Sequence, residues 1–282
     1  MRVVVLFLVS SLSWVSCSTK EGLNAGSYGL FEKTPAWDLA KAVGDKDEEA
    51  IRRLVAQNPQ LINYQEGKYG NTLLMLTILN RQMEAFSILL SLKADINIHN
   101  TSTGASALIL AAKYQADNTE FVEALLKNGA NVNDIEVGKR RESNGTRLTP
   151  LIAAVTGSLD FVELLVENGA DINYQNEFKQ SALSQAVLLG KRQIALYLLK
   201  HGADYTQPIF NRPEENRDIF LIEVLREDFV DLDSEDHIQK MEIVKFLGTK
   251  NIDYWSTPIP EYIKKKAQEE YPSNWEEYLK KY

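Results

Sequence analysis

The chain repeats itself with a period near 33, and that periodicity limits its fold more than any other feature. The segments KADINIHN (93–100), GANVNDIE (129–136), GADINYQN (169–176) and GADYTQPI (202–209) echo one another. Each follows an apolar helical stretch: AFSILLSL, FVEALLKN, FVELLVEN and IALYLLKH. A second echo precedes those stretches: NTLLMLTI, ASALILAA, LTPLIAAV and QSALSQAV. Leu74, Leu108, Leu151 and Leu183 hold the same place in it, at spacings of 34, 43 and 32 residues. A turn, a helix, a second turn and a second helix fill such a period, and one unit cannot bury its own apolar stripe. Consecutive units must therefore stack.

The residue types fit that mechanical demand. Thr72, Ser106, Thr149 and Ser181 stand where a hydroxyl caps the free N–H groups of a first helix. Pro150 suits a first helical position, where a missing donor costs nothing. Gly129, Gly169 and Gly202 end second helices, where a left-handed residue is needed. Ala111, Ala112, Ala153 and Ala154 let neighbouring helices approach closely. Phe121/Val122 with Leu125/Leu126, and Phe161/Val162 with Leu165/Val166, recur one turn apart and form buried stripes.

With Thr149–Pro150–Leu151 and Asn168–Gly169–Ala170–Asp171 in these places, the chain resembles the ankyrin-repeat family over about residues 35–206, with a degenerate unit to about 255. The resemblance implies an all-α solenoid of helix-turn-helix units with β-hairpin fingers, about five to six repeats in residues 34–255. Thr34–Pro35 lies one place out of register, so the first unit (35–65) reads as an N-terminal cap. The sixth unit is expected to have helix one at DIFLIEVL and helix two at MEIVKFLGTKNIDY, separated by the acidic stretch REDFVDLDSEDHIQ. Residues 256–282 are expected to form two short helices as a C-terminal cap, the last opening with Ser273 and Glu276 in capping-box spacing.

The other end has a different organisation. MRVVVLFLVSSLSWVS has one early positive charge, an apolar run shorter than a spanning helix needs, and small residues before Cys17, the chain's one cysteine. Residues 1–16 read as a secretory signal, and WVSC resembles the lipobox of bacterial lipoproteins. That resemblance implies lipidation at Cys17 and a palmitate-type anchor. Trp14 stands where that motif usually has leucine. The Gly-, Ser- and Asn-rich stretch 17–33 is expected to be a flexible tether. The resemblance places the folded part at the periplasmic face of a bacterial outer membrane. A single cysteine permits no internal disulfide.

Charge and motif content narrow the function. The formal net charge is −8, which disfavours a nucleic-acid partner. No HExxH, GxSxG, CxxC or phosphate-cradling glycine loop occurs. Of the three histidines, His201 precedes the helix-ending Gly202, His99 lies on a finger, and His237 lies in the acidic stretch. Asp228, Asp231, Asp233, Glu235 and Asp236 alternate, but without the glycine and terminal glutamate of a calcium loop. The expectation is no enzyme, no cofactor and no metal. The sequons at Asn100 and Asn144 have meaning only in a eukaryotic secretory route.

Deviations from the repeat mark where a partner would bind. The connection NDIEVGKRRESNGTRLTP is lengthened and carries Lys139, Arg140, Arg141 and Arg147. Tyr69, Tyr174, Phe178 and Phe210 lie near other tips. Arg212 lies in TQPIFNRPEENRD, a connection stiffened by Pro208 and Pro213. Aromatic and arginine side chains are what interface hot spots are made of. Small ankyrin lipoproteins of this kind resemble the immunity proteins of type VI secretion effectors, notably phospholipases. The resemblance implies a monomer, or a 1:1 complex in which the solenoid covers a toxin's active site. The alternative reading is a periplasmic stabiliser or assembly factor for a resident enzyme.

Overall fold

The computed structural model describes residues 24–115, 118–138 and 146–282. Helices come in antiparallel pairs: α1 (Trp37–Gly44) with α2 (Glu48–Gln57), α3 (Leu73–Leu79) with α4 (Met83–Ser91), and α5 (Ala107–Tyr114) with α6 (Glu120–Lys127). Then follow α7 (Pro150–Ala154) with α8 (Leu159–Glu167), α9 (Ala182–Leu188) with α10 (Arg192–Lys200), and α11 (Leu221–Glu227) with α12 (Glu235–Gly248). The chain continues into α13 (Glu261–Glu270) and α14 (Trp275–Lys281). First helices stack as α1, α3, α5, α7 and α9, while α8, α10 and α12 stack in the second row. This is the all-α solenoid expected from the period.

The local devices form as the residue types require. Thr72, Ser106 and Thr149 hydroxyls accept from the N–H of Met75, Ile109 and Ile152 at 3.3, 3.5 and 3.2 Å. Ser181 and Ser184 cap each other's backbone reciprocally. Gly129, Gly169 and Gly202 have φ of 90°, 88° and 97°. Lys93 (φ 67°) and Asn251 (φ 63°) occupy the same position in units two and six, so the left-handed residue is needed even where glycine is missing. One apolar core runs from Phe31 to Tyr254, and Phe86 of α4 meets Phe121 of α6 edge-on at 4.9 Å between ring centres. A separate aromatic core holds the C-terminal end. Ile263, Ala267, Tyr278 and Tyr282 are buried there against Phe229, Leu232 and Tyr271.

Four expectations need correction. Residues 24–33 are packed on the repeats rather than extended as a tether. A 3-10 turn spans Tyr28–Phe31, and Phe31 is fully buried. The second helix of unit six begins at Glu235, six residues before Met241. Ser234 caps it by accepting from His237 N–H at 3.1 Å, and Glu235 and Asp236 suit its positive end. Helix α14 opens at Trp275 after Asn274, with no side-chain cap bond, so the Ser273–Glu276 box is not made.

The fingers, finally, contain little β-ladder. Among the described residues the only sheet pairs β1 (Phe210–Arg212) with β2 (Arg217–Ile219), and one isolated bridge joins His99 to Ser106. Side chains brace the other tips instead. The Glu66 carboxylate accepts from the N–H of Lys68, Tyr69 and Asn71 at 2.6–3.1 Å. Asn100, at the same repeat position, accepts from Thr103 and Gly104 N–H, and Asn176 from Phe178 and Gln180 N–H. Asn100 is 5% exposed and spent in this way, so its sequon has no accessible acceptor in the folded chain. Among the described residues no helix is long and apolar enough to cross a membrane.

Candidate binding surface

Finger is tied to finger along the chain. Asn133 accepts from Asp171 N–H at 2.7 Å and donates to Gly169 O at 3.1 Å. Asn173 repeats this with Asp204 N–H (2.8 Å) and Gly202 O (3.1 Å), and Asn63 accepts from Asp95 N–H at 2.8 Å. At the tips, Thr101 and Ser102 N–H donate to Tyr69 O, and Val137 N–H to Gly104 O. These bonds span adjacent units and hold the fingers at fixed spacing, which makes their outward side chains a rigid array.

The residues expected to meet a partner fall into different environments. Phe178 is 66% exposed at a finger tip, its backbone fixed by Asn176. Tyr69 is half-buried, with Lys68 Nζ 5.0 Å from its ring centre. Tyr174 and Phe210 are partly buried against the main core. Arg147 turns inward, donating to Glu136 O at 2.5 Å and Gly138 O at 2.8 Å, so its guanidinium closes the base of the lengthened connection. Arg212 is bonded to Glu227 at 2.7 Å and Glu215 at 2.9 Å, and these carboxylates hold its pKa above the usual arginine value. Cys17, Lys139, Arg140, Arg141 and Asn144 lie outside the described residues.

Among the exposed apolar side chains that the tip-by-tip reading does not signal, three stand at the C-terminal ends of first helices. Tyr114 (46% exposed) ends α5; Leu188 (45%) and Leu189 (44%) end α9. Tyr114 and Leu189 are at equivalent repeat positions, where unit two has Asn80 and unit four Gly157. Superposing the second echoes against one another would have exposed this substitution of apolar for polar. With Phe178 they leave apolar side chains exposed in units three and five.

The titratable groups are used structurally. His99 Nε2 meets Asp134 Oδ1 at 2.9 Å, joining two fingers. His201 Nδ1–H donates to Tyr197 O at 2.8 Å at the end of α10. His237 is pushed below its ordinary pKa by burial and by Lys240. The acidic stretch is drawn into the solenoid by Arg192, the first residue of α10. Its guanidinium forks onto Asp228 at 2.9–3.0 Å and reaches Asp236 at 2.8 Å. Among the described residues no group of three or more His, Cys, Asp or Glu side chains could hold a metal.

Comparison with known families agrees with this architecture. A family model described as ankyrin repeats (3 copies) matches residues 39–136 and 133–209, more than half of the chain. No curated protein matches it.

Proposed function

The chain belongs to the ankyrin-repeat family, and on that premise we propose that it is a non-enzymatic, lipid-anchored binding protein of a bacterial envelope that blocks a toxin. Ankyrin repeats generally bind protein partners. The observation that carries the reading is the exposure of the apolar side chains Tyr114, Leu188, Leu189 and Phe178 at first-helix ends and a braced finger tip. Covering such side chains gains about 25 cal/mol per Å² of apolar surface buried, and the rigidity of the elements that carry them keeps the ordering cost of binding low.

The finer part of the proposal comes from the leader. A single thiol at the junction of an apolar run and a polar stretch supports acylation at Cys17, with the chain held at the periplasmic face of the outer membrane. The partner is then a protein delivered into that compartment: a type VI secretion effector of phospholipase type, whose active site the solenoid covers.

Two measurements test this. A deletion strain mixed with its parent should lose viability only when the cells touch, and the full chain supplied in trans should restore it. Contact-independent loss of a resident enzyme's activity would replace the immunity reading with that of a stabiliser. Labelling with a palmitate analogue should be lost on Cys17→Ser; label retained in that variant would remove the anchor.

A further inference from the structure

The N-terminal segment lies in a groove on the wall made by first helices and fingers. Asn71 Nδ2 donates to Ala25 O at 3.0 Å, and Asn80 Nδ2 to Gly26 O at 2.7 Å. Tyr28 Oη donates to Gln82 Oε1, and Phe31 anchors the segment in the core. Side-chain amides thus take the backbone carbonyls of Ala25 and Gly26. These contacts read polypeptide backbone and ignore side-chain identity.

Beside this segment the groove stays open, as a cavity of about 490 Å³. Leu79, Ala105, Leu110 and Tyr114 give it apolar walls, with Lys113 at its edge. Two lining residues, Asn71 and Gln115, are 2% and 1% exposed, and Asn71 Oδ1 and Gln115 Oε1 have no hydrogen-bond partner among the described residues. A buried acceptor left unmade costs about 1–3 kcal/mol. Docked as it is, the N-terminal segment satisfies the amide donors but neither of these two acceptors.

We propose that this groove receives an extended peptide segment of the protein partner, and that residues 24–26 occupy it in the unbound chain as an intramolecular competitor. The proposal rests on the protein-binding reading above and names the form of the ligand. An incoming strand would offer carbonyls to Asn71 and Asn80 and N–H groups to the two orphaned amide oxygens, with one apolar side chain against Leu110 and Tyr114. Because the resident segment is covalently attached, its effective concentration is in the mM range, which hides the groove from weak peptides.

The test uses the full chain and a fluorescent peptide of the sequence NAGSYGLF, a copy of residues 24–31. Tyr28→Ala and, separately, Gln82→Ala loosen the resident segment while leaving the Asn71 and Asn80 side chains in the groove. Each should bind the peptide at least 10-fold more tightly than the unaltered chain, and adding Asn71→Ala with Asn80→Ala should abolish that gain. Equal binding by loosened and unaltered chains, or a gain indifferent to Asn71 and Asn80, would overturn the proposal. A partner retained undiminished by the Asn71→Ala/Asn80→Ala chain would overturn it too, while leaving the wider binding wall standing. Peptide capture without any retained partner would support the groove and count against the proposed function.

Discussion

Lys240 Nζ lies 3.5 Å from the centre of the Tyr282 ring and donates to Asp228 O at 3.0 Å, in a fully buried position. Arg226 crosses the same pocket 4.0 Å from the Tyr254 ring centre and donates to Tyr282 O at 2.9 Å. Two cations are therefore buried among aromatic faces and carbonyls where unit six meets the C-terminal helices. Ring faces and carbonyl oxygens compensate charge only in part, and burial pushes the Lys240 ammonium down to about 7. Asp228 opposes this shift, while Arg226 and Arg192 add to it.

Stability should consequently rise with pH from about 7 to about 9.5. In that window the unfolded chain, with a lysine pKa near 10.4, binds a proton that the folded chain has released, so raising the pH favours folding. The slope for one such group is at most about 1.4 kcal/mol per pH unit. Above about 10 the sign reverses, because burial raises Tyr254 to about 12 and Tyr282 further, and their phenols ionise first in the unfolded chain. Urea unfolding at pH 7, 8 and 9 should show the rise, and Lys240→Met should flatten it. An equal slope in that variant would show that another group titrates.

Asn173→Ala should weaken the coupling between neighbouring units rather than any single helix. It removes one acceptor and one donor at once, those to Asp204 N–H and Gly202 O. A loss of about 1–2 kcal/mol is expected, with unfolding spread over a broader denaturant range, since a solenoid is held together by its nearest-neighbour interfaces. Unfolding monitored by fluorescence and circular dichroism would reveal whether the two transitions separate.

Glycines that share a positive φ should differ in cost. A Cβ on Gly104 (φ 79°) would fall 1.9 Å from Val137 O, inside the finger-to-finger contact, whereas one on Gly202 (φ 97°) meets nothing within 4 Å. Gly202→Ala should therefore cost only the left-handed penalty, about 1 kcal/mol. Gly104→Ala should cost clearly more, because Val137 must move and its N–H bond to Gly104 O is disturbed. Equal melting temperatures for the two variants would mean that the fingers shift without resistance.

The contrast between those glycines also shows what a repeat reveals and what it hides. Capping by Thr72, Ser106, Thr149 and Ser181, and the helix-ending glycines, are backbone requirements repeated in every unit, so they are legible from the echo alone. The pairing of a particular charge is set by tertiary neighbours, and nothing local to Arg147 indicates Glu136 O and Gly138 O. Arg212 is likewise committed to Glu227, fifteen residues away. Residues 24–31 have no helical period, and their composition matches that of an unfolded linker. Their place in the groove depends on Asn71, Asn80 and Gln82, side chains 46 to 54 residues distant. Phe178 is legible because an aromatic at a tip has no stacking duty, while Tyr114 and Leu189 stand at the ends of apolar helical stretches, where nothing local marks them as exposed.

Partner binding and folding should separate between two sets of residues. Tyr114→Asp, Leu189→Asp and Phe178→Asp each put a charge at a site at least 44% exposed, so folding should change by no more than about 0.5 kcal/mol. Each should lower partner retention by 10-fold or more, because a charge on a covered apolar surface is desolvated without compensation. Arg147→Ala and Arg212→Ala should behave in the opposite way. They leave carbonyls or carboxylates without their donors inside the fold, so the melting temperature drops while the surviving folded fraction binds normally. Calorimetry for folding and surface-captured binding for retention would separate the sets. If the two arginine variants lost binding at full stability while the aspartate variants kept it, the contact surface would lie at the lengthened connections, and the exposed apolar side chains would need another explanation.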